Sequence, residues 1–140
     1  MNRDGLLVIG FGSTLRGDDG AGPAAAELLR EQGLDALAVH QLTPELAERI
    51  AAARVVFFLD ADAGLPAGEV SVVRLAESDA AIEHVASPAA LLRLAHQVYA
   101  AAPEAWLIAM GGASFEIGEE LSDAARRAVG RAVAEVLARS

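Results

Sequence analysis

Short apolar runs rich in β-branched and aromatic residues alternate with Ala- and Leu-rich stretches of helical period throughout this 140-residue chain. Strands that recur between helices imply an α/β sandwich built on a mostly parallel sheet. The first run, LLVIG (6–10), precedes a helix with Pro23 in its first turn and Gly33 just past its end. LAVHQ (37–41) reads as a second strand, and Thr43-Pro44 as the cap and first residue of a helix to about Ala53. VVFFLD (55–60) is continuously apolar until its last residue, the pattern of a central strand covered on both faces. EVSVVRL (69–75) alternates as a strand, Ser87-Pro88 opens a helix to about Ala101, AWLIAM (105–110) is another buried strand, and Ser122 caps a last helix. Only eight residues, 61–68, join the third and fourth strands. A parallel crossover needs about a dozen or more, so the fourth strand is expected antiparallel, at an edge. The expectation is one domain over 1–140, a three-layer α/β/α sandwich with a five-stranded, mostly parallel sheet containing one antiparallel strand.

Composition narrows the chemistry. Cysteine is absent, which excludes disulfides, thiolate metal sites and a cysteine nucleophile. Eleven basic residues, all Arg, face 20 acids for a net charge of −9, a poor match to nucleic acid or an anionic membrane face. Mean hydropathy is high at +0.35, yet the apolar runs fall far short of the roughly 20 residues of a bilayer span. The first apolar run is broken too early for a signal peptide, so the expected location is the cytoplasm and the expected state an acidic monomer.

Open α/β sheets bind ligands beyond the carboxyl ends of their strands, and two acid-bearing loops and a histidine are candidates there. After the first strand comes GFGSTLRGDDGAG (10–22). A dinucleotide loop would need a third glycine where Leu15 stands, and Asp18 and Asp19 would repel a pyrophosphate at the helix N-terminus. These acids either cap the following helix or, with glycines at 17, 20 and 22, form part of a binding loop. After the third strand comes DADAG (60–64): Asp60 ends a buried run, where a carboxylate must be paired, hydrogen-bonded or coordinated, and Asp62 reads as a turn residue. His84 precedes the Ser87-Pro88 helix start; His40, at the end of the second strand, is a lesser candidate, and His96, mid-helix, reads as solvated. Asp19, Asp60 and His84 offer two oxygen donors and one imidazole, an open set suited to Ni²⁺ or Zn²⁺. Their spacing alone does not assemble them, since they come from three loops.

The GxGSxxxGDDGxG opening (10–22), HQLTPEL (40–46), LDADAG (59–64), HxxSPAALLxLA (84–95) and SFEIGEELS (114–122) together resemble the nickel–iron hydrogenase maturation endopeptidases, in order and over nearly the whole chain. The resemblance implies a soluble α/β enzyme that removes a C-terminal extension from the hydrogenase large-subunit precursor once nickel is installed. It also implies a metal-binding constellation of Asp19, Asp60 and His84. Two positions depart from the usual pattern: Ser13 replaces the family's Asn, and Asp19 stands where some members carry Glu. HQLTPEL looks nearest to members serving soluble, cytoplasmic hydrogenases.

No Ser/His or Cys/His pair and no HExxH helix is evident, so hydrolysis assisted by a divalent metal is the leading route. The resemblance implies an alternative, in which the ligands grasp the nickel already in the precursor, with zinc or cadmium as substitutes in vitro. Asp18 or Asp62 would then serve as general base; alternatively Asp19 and Asp60 share a proton as in an aspartic-type enzyme. Two other classes compete: a non-cleaving metal-binding accessory or chaperone for hydrogenase assembly, and a nucleotide-binding regulator built on Gly10 and Gly12.

Overall fold

The computed structural model describes residues 3–76, 87–118 and 120–140. Five strands, β1 (Leu6–Phe11), β2 (Asp35–Val39), β3 (Val55–Asp62), β4 (Val70–Arg74) and β5 (Glu104–Gly111), form one sheet in the order β2-β1-β3-β5-β4. β2, β1, β3 and β5 run parallel, and β4 lies antiparallel to β5 at the edge, as the short third connection required. Four helices accompany them: α1 (Ala21–Glu31), α2 (Leu46–Ala51), α3 (Pro88–Tyr99) and α4 (Asp123–Arg139).

Strand alternation divides the core between two faces. Val8, Phe57, Leu59, Ile108 and Met110 pack under α1 and α4. Leu7, Ile9, Val56 and Phe58 pack under α2 and α3. Val55 to Leu59 are buried without a break, the signature of a strand covered on both sides. The result is the expected three-layer sandwich.

Several element boundaries differ from expectation: β3 runs on to Asp62, α3 stops at Tyr99, and two elements start elsewhere. β2 spans 35–39, not 37–41, because its pairing with β1 starts at Leu7–Asp35, directly after the Gly33 turn. α2 begins at Leu46, not Pro44: Leu46 and Ala47 donate to the carbonyls of Thr43 and Pro44, so residues 43–45 form a tight turn and Thr43 caps nothing. The other two cap signals hold. Ser87 Oγ accepts from Ala90 N at 3.1 Å and Ser122 Oγ from Ala125 N at 3.1 Å, opening α3 and α4.

The start of α1 is pressed onto the sheet. A Cβ on Gly22 would lie 2.4 Å from the Leu59 carbonyl oxygen and 2.5 Å from that of Phe11; a Cβ on Gly10 would lie 2.0 Å from the Gly22 oxygen. Only glycine permits this approach. It holds the segment leading into α1 against the carboxyl ends of β1 and β3.

Candidate active site

β1, β3 and β5 are neighbours, so the segments that leave their carboxyl ends meet. The segment after β1 closes through a 3-10 turn, Gly17–Gly20, that carries Asp18 and Asp19. Neither acid caps α1, whose N-cap is Gly20 with no side-chain hydrogen bond. The two adjacent side chains diverge.

Asp18 points inward and is fully buried. Its Oδ2 accepts from Ala113 N (2.6 Å), Ser114 N (3.0 Å) and Ser122 Oγ (2.6 Å), and its Oδ1 from Ser122 N (2.7 Å). Burial pushes this carboxyl up, but the Ser122, Ser114 and Ala113 hydrogen bonds outweigh it and hold the group below its ordinary value. Asp19 is half-buried and accepts from Ser13 N at 2.7 Å.

Asp60, half-buried near the end of β3, is the most perturbed acid among the described residues. Burial pushes it up first and the Asp19 charge second; a hydrogen bond from the Ala61 amide lowers it and the Asp62 charge raises it, leaving a value of about 7. Asp19 and Asp60 therefore lie within repulsive reach of each other, brought there from positions 41 residues apart. Two carboxylates in one partly desolvated corner are a donor pair that a divalent cation or a shared proton would relieve. Asp62 is exposed, and its Oδ1 accepts from Gly64 N at 2.8 Å, the turn role read from its sequence.

His84 lies outside the described residues. Among the described residues, no group of three or more His, Asp or Glu is gathered to hold a metal ion. His40 is exposed at the end of β2 and lines a cleft of about 220 Å³ with Gly12, Thr14 and Pro23, so it reaches the same edge. That cleft shares Thr14 and Pro23 with a hollow of about 420 Å³ running to Leu121, leaving open room beside the Gly12–Gly20 loop. His96 is exposed and belongs to a separate hollow with Ala102 and Pro103, which precede β5 at the opposite sheet edge.

Sequence reasoning did not anticipate the partners of Asp18. Ser122 was legible as a helix cap, but a bond spanning 104 residues leaves no local pattern.

This fold and edge have known counterparts. The chain is similar to the nickel–iron hydrogenase maturation protease HybD from Thermococcus kodakarensis, at 27% identity over 96% of this chain and 97% of the other, with a TM-score of 0.75. Its fold is that of the hydrogenase maturation proteases. It is likewise 27% identical to the hydrogenase 2 maturation peptidase from Thaumarchaeota archaeon SCGC_AB-539-E09, over 96% of each chain, at TM-score 0.71. The HybD endopeptidase from E. coli shares the fold at 21% identity, with a TM-score of 0.74 over 96% of this chain and 90% of the other. No family model and no curated protein sequence matches the chain. The structures it resembles are named maturation proteases and peptidases. Among the described residues, no helix is long and apolar enough to cross a membrane.

Proposed function

We propose that this chain is a maturation protease that removes the C-terminal extension of a nickel-loaded hydrogenase large-subunit precursor, using the acid pair Asp19 and Asp60. The observation that carries the reading is the convergence of these carboxylates at the ends of β1 and β3. It occurs in a fold shared along almost the full length of a 27% identical maturation protease.

Asp19 and Asp60, with His84 as the third donor, would hold the nickel that the precursor brings, so recognition of substrate and of its metal coincide. Two oxygen donors already in mutual repulsion fit that task, because a divalent cation cancels the repulsion. Zinc or cadmium would substitute in vitro. A cation so placed polarises the scissile carbonyl or acidifies a water.

Hydrolysis adds water to the scissile carbonyl carbon, breaks the C–N bond and delivers a proton to the leaving amine. The base must reach solvent. Asp18 does not, with all four of its donors protein groups and no exposed surface. The role then falls to Asp62, exposed two residues beyond Asp60. The same convergence also favours an aspartic-type scheme. In it, ionised Asp19 takes the proton of the attacking water while protonated Asp60 donates to the carbonyl oxygen.

Intact mass spectrometry of a nickel-loaded precursor incubated with the protein tests the reading. Wild type shortens the tail, whereas Asp19→Ala, Asp60→Ala and His84→Ala do not. Binding of the precursor without loss of tail mass would instead make the chain an assembly chaperone. Trimming of a nickel-free precursor would favour the aspartic-type scheme over nickel recognition.

A further inference from the structure

We propose that Asp18 is a positioning residue for this reaction, its buried carboxylate tying the turn that carries Asp19 to the loop after β5 and to the first turn of α4. The proposal rests on the reading of Asp19 and Asp60 as the reacting pair.

The tie is made twice, by side chain and by backbone. The Asp18 carboxylate gathers Ala113 N, Ser114 N, Ser122 N and Ser122 Oγ, all between 2.6 and 3.0 Å. Its own amide donates to Ser114 O at 2.8 Å, the Gly17 amide to Gly118 O at 2.7 Å, and the Gly118 amide to Leu15 O at 2.9 Å. A Cβ on Gly112 would lie 2.6 Å from Asp18 Cβ, so the loop after β5 closes directly on this side chain. These contacts fix the Asp18 Cα against β5 and α4.

Asp19 is one peptide unit further on. Its remaining freedom is removed by its amide bond to Arg16 O (3.1 Å) and by the Ser13 amide on its Oδ2 (2.7 Å). The 3-10 turn thus sends one acid inward as an anchor and the next outward toward Asp60. Without the anchor, three backbone amides and a hydroxyl lose a fully buried acceptor. The two loops then part, and the Asp19 carboxylate moves with its turn. Displacement of a reacting group by about 1 Å can cost on the order of 100-fold in rate.

The test compares wild type, Asp18→Asn and Val136→Ala. The last trims the core near the far end of α4 and serves as a matched loss of thermal stability. Two readouts are taken well below each Tm: the amide resonance of Ser13, which reports its bond to Asp19, and kcat and KM for the nickel-loaded precursor. Asp18→Asn is expected to shift the Ser13 resonance and lower kcat about 100-fold with little change in KM, while Val136→Ala alters neither. A Ser13 resonance and kcat like those of Val136→Ala would overturn the proposal. Should Asp18→Asn fail to fold, Ser122→Ala removes one donor and is expected to shift the same resonance less far; an unmoved resonance overturns the proposal. If wild type does not trim the precursor, the endopeptidase reading fails on its own, and the Ser13 resonance alone decides whether Asp18 positions Asp19.

Discussion

Asp60 sits where β3 runs out of cover, half-buried and facing the charge of Asp19, and its pKa of about 7 follows from both. The unfolded chain releases this proton near 3.8, whereas the folded chain keeps it to about 7. Between those values the folded state binds more protons, so the Asp60 contribution to stability is full below 3.8 and lost as pH rises toward 7. Asp18 has the opposite sign: its depressed value stabilises the fold above 3.8, and this is lost as pH falls through that lower value. Urea midpoints of the cation-free protein should therefore decline from about pH 4 to pH 7 by more in wild type than in Asp60→Asn. Parallel curves for the two proteins would rule out the burial and repulsion described for Asp60. Adjacent in sequence, Asp18 and Asp19 looked alike; a fully buried anchor and a half-buried site acid are told apart only by what surrounds them.

α1 is seated by glycine. Gly22 leaves no room for a methyl group between the helix and the carbonyls of Phe11 and Leu59. Gly22→Ala should cost about 1–3 kcal/mol or more, since the obstacles are backbone atoms that cannot rotate away. Chemical denaturation measures this directly, and a neutral result would mean that the helix is not seated on the strands. At α3, Ser87→Ala removes the cap bond to Ala90 and should cost about 1 kcal/mol in the same assay. Elements were the most legible level in the sequence. The short link between β3 and β4 forced an antiparallel edge strand, and the Ser-Pro signal marked α3. Where reading missed, at the 43–45 turn and the start of β2, the outcome was set by pairing with β1 and by turn bonds, which local propensity does not encode.

The two cores share one sheet, and β3 contributes to both, through Phe57 and Leu59 on one side and Val56 and Phe58 on the other. A chain this size with one continuous sheet should unfold as a unit. Its single tryptophan is well placed to show this: Trp106 on β5 packs under Arg74 of β4 at 5.7 Å and Arg139 of α4 at 5.5 Å. Trp106 fluorescence and far-UV circular dichroism should give coincident urea transitions, and Phe58→Ala should lower both midpoints together, with a loss of about 3–5 kcal/mol in unfolding free energy. Separate transitions would show the faces to be independent.

By themselves the residues determined the alternation of elements, the antiparallel edge and the edge of the sheet where acids gather. Each follows from short-range facts: period, connection length, and a carboxylate closing an apolar run. Only the tertiary structure decided that Asp19 faces Asp60, that Asp18 turns inward to hold Ser122, and that Asp62 stays in solvent. Those outcomes depend on strand order and on contacts across as many as 104 residues. Coulomb repulsion and hydrogen bonding act through space, and the chain's order carries no record of which distant groups folding will bring within their range.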